Sequence, residues 1–332
     1  WAGVVCIEEA PELIEAVAAR GIPVIDLSDT DFRHPGVPKI RPDNVAIGQV
    51  AGEYFADRGY THFAFCGYND LHWTRERLEG YIEAIRHRGA QPFVYQKPKL
   101  PISAPGWREE YSRDIARWLD QLPRPVAVLG ANDYRAVAIS NACRHLGRSV
   151  PDEVAILGVD NQTLRCELSH PQLSSIPVDA GYWGKRAAQV LGDLLQGRPP
   201  PDDLILIEPL DVVSRRSTEA TAIADVSVAR AISFIRDHAC DGITVDDLVT
   251  RTGVSRSVLE RRFRKFLGRS PHVEIRRFQV GRIKQLLAAT DYTLAQIADL
   301  AGFEHPEYMS VVFKRITALT PSAYRDRHRL PA

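Results

Sequence analysis

The chain has 332 residues, enough for two or three domains at roughly 100 to 200 residues each. Hydrophobic residues make up 45% and charged residues 25%, which excludes a disordered, collagenous or coiled-coil protein, and no apolar run approaches the roughly 18 residues of a membrane span. The 42 basic and 42 acidic residues cancel overall but not locally: from Val226 onward 18 basic face 11 acidic residues, so a basic tail follows an acidic body.

The chain opens on Trp1 rather than Met, without a charged-then-apolar leader, and Gly3-Val4-Val5-Cys6 already reads as a buried strand. The sequence is therefore expected to lack its true start. Ile22-Pro23-Val24-Ile25, His62 to Cys66, Ala127 to Gly130 and Val154 to Val159 are further short apolar runs bounded by Gly, Pro or Asp, the pattern of buried parallel strands. Amphipathic stretches at about 11–20, 44–58, 76–88, 108–120, 133–146 and 180–196 alternate with them, several behind Asp or Asn. Such alternation predicts a doubly wound α/β architecture.

Ligands of such sheets bind beyond the carboxyl ends of the strands, which directs attention to the polar residues just after each run. Asp26 ends the second run, Asn132 and Asp133 follow the run at 126–131, and Asp160 and Asn161 follow Val159. Arg77 opens the helix after Cys66-Gly67, with Trp73 beside it. Carboxylates, an amide and a guanidinium at one cleft suit the vicinal hydroxyls of a sugar, and an indole offers an apolar ring face. Taken singly, each Asp or Asn is better explained as a helix cap; the set favours a site.

This layout resembles the effector domain of the LacI/GalR regulators and the periplasmic sugar-binding proteins, through Ile22 to Asp26, Asp43 to Tyr60, Arg77-Leu78-Glu79-Gly80-Tyr81, Gly130-Ala131-Asn132-Asp133 and Gly158-Val159-Asp160-Asn161. The resemblance implies a periplasmic-binding-protein-like sensor whose ligand positions match Asp26, Arg77, Asn132 and Asp160. One departure is Val178, where many relatives carry a sugar-binding Gln. The family fold also starts with elements absent before Trp1, on the order of 60 residues or more.

Residues 214–221 lack an apolar period and mark a boundary, giving a sensor over 1–215, a linker over 216–226 and a second domain over 227–330. There, Ile243 to Val249 followed by Gly253-Val254 parallels Tyr292 to Ala298 followed by Gly302-Phe303; Phe263 answers Phe313, and Ser270-Pro271 answers Thr320-Pro321. Each copy holds a cap residue, a short helix, a Gly suited to positive φ and a second helix, the construction of a helix-turn-helix. A purely structural helical hairpin would repeat in the same way, and the basic charge favours DNA. In the helix at 255–267, Leu259, Phe263 and Phe266 are expected inside, leaving Arg256, Ser257, Glu260, Arg261 and Arg264 to face base edges while Arg262, Lys265 and Arg269 approach phosphates. The alternative is a solvated face with Arg256, Glu260 and Arg264 paired along the helix. In the second copy Met309, Val312, Phe313 and Ile316 form the inward stripe, and His305, Glu307, Ser310, Val311 and Lys314 point outward.

The tail resembles the AraC/XylS regulators over about 227–327, through Thr252-Gly253-Val254-Ser255, Leu259 to Phe263, Ala301-Gly302-Phe303, Val312 to Arg315 and Thr320 to Arg325. Met309, Ala318 and Val311 depart from that pattern. A LacI-type sensor ahead of an AraC-type tail is the arrangement of the xylose-responsive operon activators. This resemblance implies a cytoplasmic, D-xylose-sensing transcription activator, not an enzyme, acting as a homodimer on operator DNA with RNA polymerase at the promoter. A regulator of the same architecture for another pentose is the alternative. A transport sugar-binding protein would need a leader and no DNA-binding tail. A DNA-repair alkyltransferase would need a zinc-bound Cys, whereas Cys6, Cys66, Cys143, Cys166 and Cys240 are scattered without metal spacing. No GxSxG, GxGxxG or Walker motif is present, and neither cofactor nor metal is expected.

Overall fold

The computed structural model describes residues 2–7, 10–86, 88–99, 107–199, 204–219, 222–223 and 225–328, with the side chains of 107–112 and 289 left aside. The chain divides into two compact units, one over 1–56 and 60–220 and the other over 57–59 and 221–332. Among the described residues no helix is long and apolar enough to cross a membrane.

The strands of the first unit are β1 (Val4–Cys6), β2 (Val24–Asp26), β3 (Lys39–Pro42), β4 (Phe63–Tyr68), β5 (Phe93–Lys97), β6 (Val126–Gly130), β7 (Val154–Val159), β8 (Ser174–Ile176) and β9 (Leu204–Ile207). Its helices are α1 (Pro11–Ala18), α2 (Asn44–Ala56), α3 (His72–Arg86), α4 (Trp107–Asp120), α5 (Asp133–His145), α6 (Thr163–Leu168) and α7 (Ala180–Leu195). They form two parallel sheets, ordered β1-β2-β3-β9 and β5-β4-β6-β7-β8. β6 and β7 are buried along their whole length, as expected of strands covered on both faces by helices. The second order is that of a flavodoxin-like sheet, in which the direction of winding reverses between β4 and β6 and opens a crevice there.

β3, β5, β8 and β9 were not expected from the sequence. β3 reads Lys-Ile-Arg-Pro, and its two cations are buried only because carboxylates meet them: Lys39 Nζ lies 2.7 Å from Asp26, and Arg41 forks onto Glu76 at 2.5 and 2.8 Å. β5 is an edge strand with its apolar residues half-exposed. β8 begins with two buried serines, held by the Thr218 hydroxyl at 2.7 Å and the Asp133 carboxylate at 2.6 Å.

The boundary also moves. Residues 216–219, expected in the linker, pack into the first unit: Ser217 Oγ donates to the Ile156 carbonyl at 2.6 Å and accepts from the Ser174 amide at 2.8 Å. Hydroxyls that satisfy buried backbone groups make this segment structural.

The second unit is helical: α8 (Val226–His238), α9 (Val245–Thr252), α10 (Arg256–Leu267), α11 (Pro271–Ala289), α12 (Leu294–Leu300), α13 (Pro306–Thr317) and α14 (Pro321–His328). The sequence repeat has a physical origin. Thr244 with Asp247 and Thr293 with Gln296 build the same reciprocal capping box, and Gly253 and Gly302 take φ of +71° and +72° at the two turns. Each half has its own core, around Leu259 and Phe263 in one and around Val312 and Phe313 in the other.

Candidate functional site

The crevice between β4 and β6 is built by a close helix contact. A Cβ on Gly48 of α2 would stand 2.1 Å from the Arg77 carbonyl, and one on Gly80 of α3 would stand 1.9 Å from the Val45 carbonyl. Any side chain at either position would force the helices apart. Their contact sets Asn44, at the start of α2, beside Arg77: Nε donates to Asn44 Oδ1 at 2.9 Å, and Nη1 donates to the Ala131 carbonyl at the end of β6 at 2.5 Å. The guanidinium is buried, its carbon lies 4.6 Å from the Trp73 ring centre, and Nη2 reaches to 3.8 Å from Asp160.

Asp160 is turned into the crevice by an uncommon backbone, with φ of +98° followed by +49° at Asn161. Asp133 pins this turn by accepting from the Gln162 amide at 2.7 Å and the Ser175 hydroxyl at 2.6 Å. Burial pushes the Asp160 carboxyl up to about 6; Arg77 draws it down, while Asp133 and Asp29 add to the rise.

The site contains residues that the sequence reading passed over. Asn44 Nδ2 donates to both oxygens of Asp29 at 2.9 and 3.1 Å, and Arg41 Nη1 stands 3.6 Å from Asp29. Burial raises the Asp29 carboxyl against the pull of Arg77. For Glu76 burial acts upward too, but the fork and charge of Arg41 win and hold it below the usual carboxylate range. His72 Nε2 adds a contact to Glu76 at 3.1 Å. The rule that pointed to Asp26, the last residue of β2, could have reached Asp29 just beyond it; Asn44 lies between Asp43 and Tyr60, and Glu76 directly precedes Arg77.

Of the expected ligand residues, Arg77, Trp73 and Asp160 come together. Asp26 does not face the crevice with free acceptors: it is buried, Oδ2 takes Lys39 Nζ at 2.7 Å and Oδ1 takes the Ser28 amide at 2.8 Å. Its work is to neutralise a lysine that β3 carries inside. Asn132 caps α5, accepting from the Arg135 amide at 3.0 Å, and Asn161 Oδ1 accepts from Arg215 at 3.0 Å. Each side-chain oxygen accepts one bond that serves structure. What remains, carboxylates and an amide around a buried guanidinium beside an indole, is suited to binding several hydroxyls of one small polyol.

In the second unit, α10 turns Leu259, Phe263 and Leu267 inward; Leu267 takes the place expected of Phe266, which is half-buried against the same core. Arg256 pairs with Asp246 at 3.3 Å and with Glu260 at 3.5 Å, and among the described residues neither Arg261 nor Arg264 forms an ion pair. Ser257 and Glu260 share this outer side. Two expected phosphate contacts are corrected. Arg262 binds Asp225 at 3.3 Å and Ser227 Oγ at 3.0 Å, where it ties α10 to the start of α8. Arg269 is mostly buried and bonded to the buried Glu274 of α11, so it holds the α10–α11 turn. On α13, Met309, Val312 and Phe313 are buried, but Ile316 is 44% exposed and leaves the stripe. Val311 is 62% exposed, beside Glu307 and Lys314, with His305 preceding the helix and Ser310 bonding the Pro306 carbonyl at 2.8 Å. The outer face of α10 is cationic and that of α13 mixed.

Residues 53–218 match the periplasmic binding protein-like domain family, and residues 248–327 match a helix-turn-helix domain family. The xylose operon regulatory protein of Escherichia coli is 31% identical over 330 residues, 98% of this chain and 83% of that protein. Its namesake in Haemophilus influenzae is also 31% identical, over 97% of this chain and 84% of its own length. Among solved structures, a xylose-binding transcription activator aligns with a TM-score of 0.59 at 30% identity, covering 99% of this chain and 87% of that one. A dimeric Lac repressor aligns over 66% of this chain with a TM-score of 0.55 at 21% identity, a likeness of fold alone.

Proposed function

The chain belongs to the family of the xylose operon regulatory proteins, and from that premise we propose that it activates transcription in response to D-xylose bound in the crevice around Arg77. The observation that carries the reading is the network Arg77, Asn44, Asp29 and Asp160, placed at the switch point of a sensor sheet in a chain that also carries two helix-turn-helix readers. Sugar hydroxyls would donate to Asp160 and to the acceptors around it while Arg77 donates to a ring or hydroxyl oxygen. Arg261 and Arg264 of α10 would supply the base-edge contacts, and α13 would read through Val311 and neighbouring polar groups.

The active species on this reading is a cytoplasmic homodimer on directly repeated half-sites, beside RNA polymerase. Two readers in one chain fit successive major grooves about 34 Å apart, so each half-site needs two short boxes in helical phase. Sugar acts by binding one arrangement of the sensors more tightly than another. Calorimetry of the full-length protein against pentoses and hexoses, paired with operator binding with and without each sugar, tests this directly. D-xylose should bind tightest and raise operator affinity. A different sugar doing both would reassign the effector, and no sugar doing either would overturn the sensor.

A further inference from the structure

Asp29 lies in the turn after β2, three residues beyond Asp26. Its two oxygens share one donor group, Asn44 Nδ2, with Arg41 farther off at 3.6 Å. An ionised carboxylate has about four acceptor sites, so much of its capacity is open. Apart from holding Asn44, its charge has little local work, because the neighbouring groups have closer partners. The start of α2 is capped by Asp43, which accepts from the Ala46 amide at 2.9 Å; Lys39 is held by Asp26, and Arg41 by the Glu76 fork. The Asp29 side chain is nevertheless 21% exposed, beside an Asp160 side chain that is 33% exposed.

The two carboxylates converge on one guanidinium from different sheets. Asp160 follows β7 and stands 3.8 Å from Arg77 Nη2; Asp29 follows β2 and reaches Arg77 through Asn44, whose Oδ1 accepts from Nε at 2.9 Å. Each contributes to the negative field around the crevice, and hydroxyl donors are the neutral groups that would relieve it.

We propose that Asp29, and not Asp26, is the carboxylate that receives a pentose hydroxyl from the β2 side of the crevice, and that it reads a different hydroxyl from the one read by Asp160. The inference rests on the sugar-sensor reading above and adds to it the residue that sets hydroxyl specificity. A site built to bond a hydroxyl rejects the analogue lacking it, because its own acceptor is left unpaired.

The test is calorimetry of the full chain with D-xylose and with the analogues that each lack one hydroxyl, comparing wild type, Asp29→Asn and Asp160→Asn. Asp29→Asn should weaken D-xylose binding by about tenfold or more and lose most of its discrimination against the analogue lacking one hydroxyl; Asp160→Asn should lose it for another. Asp29→Ser carries the same comparison if the Asn variant does not fold. D-xylose affinity within about twofold of wild type in a folded Asp29 variant, or blindness of both variants to the same analogue, overturns the inference while leaving the sensor intact. Wild type that binds no pentose overturns the sensor reading itself, and the Asp29 assignment with it.

Discussion

Replacing Asp160 by Asn should make the sensor more stable and less able to bind sugar. Asn tolerates the positive φ at this position and preserves the side-chain shape, so the change chiefly removes charge. Burial, aided by Asp133 and Asp29 and opposed by Arg77, raises the carboxyl from 3.8 to about 6. A carboxyl raised in the folded state binds more protons there than in the unfolded chain. Stability therefore falls as pH climbs from about 4 to about 6, and the penalty is complete above that window. A shift of this size corresponds to about 3 kcal/mol, which solvent screening of the partly exposed side chain reduces to roughly 1–2 kcal/mol. At 2–4 °C per kcal/mol for a unit of this length, the melting transition of the sensor at pH 7.5 should rise by about 4 °C, and the difference should vanish below about pH 4. D-xylose affinity should drop about tenfold or more in the same variant, because a hydroxyl loses its charged acceptor. In wild type the affinity should also decline as pH falls through about 6, since protonation replaces the charged acceptor of Asp160 by a weaker neutral one. Scanning calorimetry from pH 4 to 8 and sugar titrations at pH 5, 6 and 7 measure both effects. A variant that melts lower at pH 7.5, or binds sugar as wild type does, would refute the reasoning, since Arg77 would then outweigh burial or the sugar would lie elsewhere.

Two further outcomes concern the helical unit. Arg261→Ala should relax preference at one operator base by about 1–3 kcal/mol, while Arg269→Ala, by leaving buried Glu274 with only Arg277 at 4.0 Å, should lower stability by about 2–3 kcal/mol without changing base preference; operator-variant titrations with a melting curve of each protein separate the two, and equal effects on base preference would contradict the assignment. Ala318 ends α13 at φ +63°, where a Cβ costs energy, so Ala318→Gly should raise stability by about 1 kcal/mol in denaturant unfolding; a decrease would show that the turn is not strained.

Continuous apolar runs such as Val154 to Val159, alternating with amphipathic helices, were sufficient for the parallel α/β unit, because strands buried on both faces need no partner to be recognised. The repeated Thr caps and turn glycines disclosed the two helix-turn-helix motifs for a similar reason: capping boxes and left-handed turns are local, and residues three or four apart encode them. Arg77 and Asp160 were legible because each follows a strand that the pattern had already located. β3 was not, since a strand of Lys39, Ile40, Arg41 and Pro42 becomes tolerable only when Asp26 and Glu76 arrive to neutralise it. The same tertiary pairing occupied the acceptors of Asp26 and took Arg262 and Arg269 away from their expected phosphate contacts. Asp29 entered the site because two helices touch at Gly48 and Gly80 and carry Asn44 to Arg77. Periodicity fixes which face of an element is buried, but the partner of a buried charge is chosen by a residue distant in the chain. Only the folded structure brings that residue within hydrogen-bonding reach.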